Sequence, residues 1–163
     1  MPERVDLNRV VSNMMELLSK SLSPAISMVL NTTDNLPEVY LSSGDLQDSI
    51  LNLVLNARDA SDKNGTITLT TGIDLLEPQQ TPHVYLSIRD EGCGIPEALI
   101  EKVFEPFFST KIESKGSGLG LSMVYGFVQR SRGKIDIRSE PGQGTEIILY
   151  LPAHHPGEAA QAQ

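Results

Sequence analysis

Three groups of residues in this sequence have the types and spacing to handle a charged ligand. Asn52, Asn56 and Asp59 lie four and three positions apart, a spacing that stacks side chains on one face of a helix. Carboxamide oxygens are hard, neutral ligands that suit Mg²⁺ when phosphates and water hold its other positions. The same strip also describes the solvated face of an ordinary amphipathic helix. Here, however, Leu46, Ile50, Leu51, Leu53, Val54, Leu55, Ala57 and Ala60 make the helix apolar nearly all round. That predicts burial, and a buried Asn without a partner is costly.

The second group is Asp90-Glu-Gly92-Cys-Gly94, which follows the alternating segment Val84 to Ile88. A carboxylate at a strand end, before a two-glycine turn, can accept hydrogen bonds from a base lying against the glycine backbone. An ionised carboxylate only accepts, so it favours adenine with its N6 donor over guanine with its 6-oxo group. An ordinary Asp-Gly turn fits the same residues. Cys93 reads as a tolerated small residue between the glycines.

The third group is Gly116-Ser-Gly118-Leu-Gly120-Leu121, which opens onto a helical segment. Glycines let successive N–H groups point into one concavity, and a helix N-terminus adds about +0.5 charge. This is a phosphate cradle needing few basic side chains. It lacks the Gly-Lys-Ser/Thr of a Walker A loop, and its G-x-G-x-G spacing without a preceding strand fits a dinucleotide fingerprint poorly. Upstream, Phe104, Phe107 and Phe108 can anchor one end of a polar lid. Lys111 and Lys115 are the cations of that stretch, readable as phosphate contacts or as solvated loop lysines.

The elements that must position these groups follow from periodicity. Asp6 caps a helix whose Leu7, Val10, Val11, Met14, Leu17, Leu18 and Leu22 recur at the helical period. Val39 to Leu41 reads as a short strand, and a second helix runs from about Asp45 to Ser61. Alternation predicts strands over Ile67–Thr71 and Val84–Ile88. A short helix opens at Pro96. The third main helix runs from Leu119 to Arg132, with Gly133 as its left-handed terminator. Ile135–Ile137 and Ile147–Leu151 form a hairpin joined by Pro141-Gly-Gln-Gly144, expected to be distal. The fold class is therefore α+β, a two-layer α/β sandwich with three main helices on a mixed, mostly antiparallel sheet of about five strands.

Composition narrows the partners. The 163 residues are 39% apolar, enough for one core, and Lys+Arg 13 against Asp+Glu 21 gives a net charge of −8. That sign argues against nucleic acid, whose phosphates call for counterion release by cations. One cysteine excludes an internal disulfide and a Cys-rich zinc site. No apolar run is long enough to span a membrane, and the N-terminus lacks a signal-peptide core. Nine of the 13 glycines fall between Gly92 and Gly144, which marks the second half as the place of close backbone approach.

Taken in order, these segments resemble the boxes of sensor histidine kinases. Asn52-Leu-Val-Leu-Asn56-Ala-Arg-Asp-Ala is similar to their N box and Asp90-Glu-Gly-Cys-Gly94 to G1. Phe104 to Phe108 resembles the F box, Gly116 to Leu121 the G2 box, and Gly142-Gln-Gly144-Thr145 the last glycine box. The resemblance covers Asp6 to Pro152 and implies the Bergerat ATP-binding fold of gyrase, MutL and histidine kinases. It implies ATP and Mg²⁺ as cofactors, Asn56 as the metal ligand, and Asn52 and Lys111 as catalytic. Nucleotide contacts are implied at Asn52, Asn56, Arg58, Asp59, Asp90, Gly92, Gly94, Ile95, Phe104, Thr110, Lys111, Lys115, Gly116, Ser117, Gly118, Leu119, Gly120, Leu121 and Thr145.

Two departures shape the functional expectation. Hydrolysing members carry Glu where this chain has Asn52, and Asn is a poor base, so transfer to an acceptor fits better than hydrolysis. His83, His154 and His155 are the only histidines, and none has the helical context of a phosphoacceptor. The resemblance thus implies a catalytic domain over residues 1–152 with a tail over 153–163, the tail being a linker or a natural end. Its expected partners are a dimerisation/phosphoacceptor helical domain of the same kinase and a response regulator receiver domain, with no membrane contact. The domain alone is expected to be monomeric, the parent kinase a homodimer, and the setting cytoplasmic with an inner-membrane anchor open to the parent. A nucleotide-binding regulatory module without catalysis is the alternative. A serine kinase of the anti-sigma type is a third reading, disfavoured by Asn52.

Overall fold

The computed structural model describes residues 1–61, 64–93 and 120–154. Helix α1 spans Leu7–Lys20, and the Asp6 side chain caps it by accepting from the Arg9 N–H at 3.3 Å. Its buried Leu7, Val11, Met14 and Leu18 recur at the spacing that puts one face on the core. Helix α2 covers Ser43–Ala60. It starts before the expected Asp45 because Ser42 is the cap, its hydroxyl accepting from the Asp45 N–H at 3.3 Å. Helix α3 covers Gly120–Arg130.

Among the described residues seven strands accompany them: β1 Glu3–Val5, β2 Ile26–Asn31, β3 Val39–Leu41, β4 Gly65–Leu76, β5 Thr81–Asp90, β6 Lys134–Glu140 and β7 Gly144–Pro152. The main sheet has five strands in the order β2-β4-β5-β7-β6, and β1 pairs with β3 in a separate ribbon. All pairs in the main sheet are antiparallel except β2 with β4, so among the described residues the expected mixed, mostly antiparallel sheet of five strands forms on the three main helices. Strands β1 and β2 lie outside the sequence-based elements. The short helix expected from Pro96 lies outside the described residues.

One face of the sheet carries Ile67 and Leu69 of β4, Val84, Leu86 and Ile88 of β5, and Ile147, Leu149 and Leu151 of β7. These are buried in one cluster with Leu46, Ile50, Leu53, Val54 and Ala57 of α2 and Val124, Phe127 and Val128 of α3. The β5–β7 register fixes which side chains share that face. Leu86 lies opposite Leu149, Ile88 opposite Ile147, and the last pair is Asp90 opposite Thr145. Because side chains alternate along a strand, Asp90 falls on the same face as the core residues two and four positions before it.

Helix α3 ends differently from expectation. The residue with positive φ is Arg132 (φ 59), not Gly133. Gly133 N–H bonds to Val128 C=O at 2.9 Å and Arg132 N–H to Gln129 C=O at 3.1 Å. That is the paired pattern of a Schellman ending, with Gly133 one position beyond the left-handed residue. Gly133 is glycine for another reason: a Cβ there would stand 2.3 Å from the Tyr150 carbonyl oxygen of β7. The last two described residues pack against β3 and the residue before it. Ala153 is buried and bridges Val39, and His154 N–H bonds to Glu38 C=O at 2.7 Å.

Candidate functional site

Three chain segments meet where β5 ends. The carboxylate of Asp90, only 5% exposed, accepts at Oδ1 from Gly92 N–H at 2.8 Å and from Thr145 N–H at 3.3 Å. Among the described residues nothing bonds to Oδ2. Burial pushes the carboxyl above the usual carboxylate range, and the two backbone N–H groups offset part of that rise. The result is a buried acceptor, fixed by one oxygen and presenting the other.

The turn after Asp90 is held from the side of α2. Cys93 N–H bonds to Ala60 C=O at 3.1 Å. A Cβ on Gly92 would stand 2.2 Å from that same carbonyl oxygen, so glycine is required for the approach. Glu91 turns outward, its Oε1 accepting from Thr66 N–H at 2.9 Å at the start of β4. From the other side, Gly142 N–H in the β6–β7 turn bonds to Cys93 C=O at 2.8 Å. The hairpin read as distal is therefore part of the site's wall.

On α2, Asn52, Asn56 and Asp59 are all half-buried, less enclosed than the apolar sequence around them predicts. Neither Asn52 nor Asn56 has a side-chain hydrogen-bond partner among the described residues. Asn56 lies one helical turn, about 6 Å along the axis, before the Ala60 carbonyl that holds the turn. Arg58 and Asp59 form a pair, with Nε and NH2 of Arg58 each 3.1 Å from Asp59 Oδ1. Arg58 also donates from NH1 to the Ser21 carbonyl at 3.2 Å, tying α2 to the end of α1.

The carboxamide pair meets the test for Mg²⁺ by its donor chemistry. Among the described residues no cluster of three or more His, Cys, Asp or Glu is available to hold a metal. A hard cation here would need amide oxygens together with oxygens of the ligand, which suits Asn56 and a phosphate chain. Helix α3 begins at Gly120, with Leu121 half-buried and no acidic residue in its first turn, so its positive end is not neutralised by its own side chains. Thr145 reaches the site through its backbone N–H, while its hydroxyl lies 2.8 Å from that of Ser139.

The structure thus brings Asp90, Gly92 and Thr145 together and sets Asn56 one helical turn before Ala60, whose carbonyl meets Cys93. Gly94, Ile95, Phe104, Thr110, Lys111, Lys115, Gly116, Ser117, Gly118 and Leu119 lie outside the described residues. Sequence reasoning missed Ala60, whose contribution is a carbonyl group. It also missed the structural part played by Gly142 and Gly144. The glycine spacing before Thr145 was visible, but its target was not.

Comparison with known proteins places this geometry. The model of the family described as Histidine kinase-, DNA gyrase B-, and HSP90-like ATPase matches residues 42–155. Sensor kinase CckA of Brucella abortus (strain 2308) is 36% identical over 160 residues, covering 93% of this chain and 17% of that protein. The catalytic domain of histidine kinase ThkA, solved nucleotide-free, superposes with a TM-score of 0.77 at 28% identity, covering 94% of this chain and 98% of that one. Full-length ShkA in complex with AMPPNP gives a TM-score of 0.77 at 25% identity, covering 99% of this chain and 34% of that one.

Proposed function

The chain belongs to the histidine kinase-, DNA gyrase B- and HSP90-like ATPase family, and from that premise we propose that it binds ATP with Mg²⁺ and presents the γ-phosphoryl group to a histidine on a separate helical domain. The observation that carries the reading is the buried Asp90 carboxylate, held at Oδ1 by Gly92 and Thr145 and open at Oδ2. That oxygen suits the N6 donor of adenine, and the Cβ-free face of Gly92, taken up by the Ala60 carbonyl of α2, supports the reading by holding the turn that presents it.

The remaining residues divide the work by chemistry. Asn56, with Asn52 beside it, would hold Mg²⁺, which when bound neutralises phosphate charge. The N-terminus of α3 and the glycines before it would hold phosphate oxygens. Lys111 and Lys115 add positive charge at the terminal phosphates, and Lys111 is proposed to act in transfer. Asn52 cannot deprotonate water as a carboxylate would, so the site positions and neutralises without supplying a hydrolytic base. Phosphoryl transfer to an acceptor asks mainly for those two services.

The chain spans 17% of the length of its relative CckA, so a larger assembly belongs to the proposal. Its partners would be a dimerisation/phosphoacceptor helical domain and a receiver domain, with the parent kinase a homodimer and residues 1–152 acting as the catalytic unit. Among the described residues no helix is long and apolar enough to cross a membrane. Titration calorimetry tests the first step. The chain should bind ADP and ATP with Mg²⁺ and discriminate against GDP. Absence of adenine nucleotide binding would overturn the reading.

A further inference from the structure

The tip of the β6–β7 hairpin packs against the turn that follows Asp90. In Glu140 to Gln143, the Gln143 N–H bonds to the Glu140 carbonyl at 2.9 Å, with Pro141 second and Gly142 third at φ 78. This is the pattern of a type II turn, which needs positive φ at its third residue. That conformation aims the Gly142 N–H at the Cys93 carbonyl, 2.8 Å away. Two residues on, Gly144 (φ 91) lies so close to β5 that a Cβ would stand 2.2 Å from the Asp90 carbonyl oxygen and 3.0 Å from Glu91 Cα. Thr145 then donates to the Asp90 carboxylate. The Ser139 hydroxyl stiffens the same stretch through Gly144 C=O at 3.0 Å and the Thr145 hydroxyl at 2.8 Å.

These contacts run along the turn, from the Asp90 carboxylate and carbonyl through Glu91 Cα to the Cys93 carbonyl, opposite the Ala60 carbonyl of α2. We propose that Gly142 and Gly144 are positioning residues, and that the hairpin tip clamps the Asp90–Cys93 turn against α2 in the shape that receives the nucleotide base. The inference rests on the reading of this turn as the adenine site. On the hairpin side every one of these contacts with the turn is made by backbone, at Gly142, Gly144 and Thr145, so what the sequence must preserve is the hairpin's conformation.

The space around Gly142 makes the idea testable, because a Cβ there meets nothing within 4 Å. A substitution at 142 therefore changes backbone preference without adding a clash. Asn tolerates the third position of a type II turn, whereas β-branched Val is an outlier at positive φ. Gly142→Val should weaken ADP binding about fivefold to tenfold, the scale of one lost hydrogen bond plus a displaced acceptor. Gly142→Asn should restore affinity to within about twofold of the native chain. Gly144→Ala, which must move the Asp90 backbone, should cost more than Gly142→Val.

Two further readings separate positioning from loss of fold. Affinity is measured well below the thermal midpoint of each variant, where the folded fraction is near one. The thiol of Cys93, the single cysteine of the chain and exposed, is labelled with an aromatic disulfide. Its rate should change severalfold in Gly142→Val and not in Gly142→Asn. A folded Gly142→Val chain with native ADP affinity and native labelling rate would overturn the proposal while leaving the adenine site standing. A native chain that binds no adenine nucleotide would overturn both.

Discussion

At the scale of single residues, Asp90 sets a conflict between binding and stability. Burial raises its carboxyl above the ordinary range, so the folded chain holds that proton more tightly than the unfolded chain does. Its contribution to stability is therefore most favourable in acid and is lost as pH rises through the folded value, leaving an ionised group that costs stability at neutral pH. Asp90→Asn keeps an acceptor for Gly92 and Thr145 and removes the buried charge. At pH 7 it should unfold in urea at an equal or higher midpoint, while ADP affinity falls roughly tenfold to a hundredfold as a charge-assisted hydrogen bond is lost. For the same reason, ADP affinity of the native chain should decline on acidification sooner than an unperturbed aspartate would dictate. The sequence disclosed this residue because chemistry leaves a mark there: a carboxylate, a strand end and two glycines. Ala60 left no such mark, since a carbonyl belongs to every residue and only the packing selects which one is used.

Among the elements, the end of α3 shows where pattern reading stops. A glycine after a helix signals either a left-handed residue or close approach to a neighbour, and the sequence does not distinguish the two. Here Arg132 takes the left-handed position and Gly133 makes way for the Tyr150 carbonyl. Two substitutions should therefore behave in opposite ways. Gly133→Ala should destabilise by about 1–3 kcal/mol, because a backbone oxygen cannot yield as a side chain would. Arg132→Gly should be neutral or stabilising by up to about 1 kcal/mol, since glycine relieves the left-handed penalty and gives some of it back as unfolded-state entropy. Urea midpoints of the two variants check both signs. The long helices and the strands with clean alternation were legible. Strand β1 has three residues, too few for a period, and β2 is an edge strand that alternates inside and outside, but its exposed Val29 joins Met28 and Leu30 in an unbroken apolar run that hides the alternation in the sequence.

For the whole molecule, the charge of −8 and the family's nucleotide chemistry are compatible in the proposed reading, where the site would rely on backbone N–H groups, carboxamides and a helix end. Neither histidine among the described residues has the setting expected of a phosphoacceptor. His83 is buried with Nδ1 2.9 Å from the Thr81 carbonyl, and His154 stacks on Tyr40 with ring centres 5.5 Å apart. Neither is on a helix. With labelled ATP the chain alone should gain no acid-labile phosphate, and a helical phosphoacceptor domain added in trans should become labelled. Stable self-labelling on a histidine would contradict the reading, and nucleotide binding without any transfer would reduce the chain to a regulatory module.

The pairing of Asp90 with Thr145 at the last rung of the β5–β7 ladder ties the ligand to the correctness of the fold itself. A slip of one residue in that ladder would turn every side chain of β5 to the opposite face, carrying Asp90 away from the helices and leaving its carboxylate without the Thr145 N–H. A misregistered chain would then have no adenine acceptor in place, whatever else it had managed to bury. In the proposed reading nucleotide would therefore act as an inspector of strand alignment, stabilising by mass action only molecules whose sheet was assembled in the proper frame.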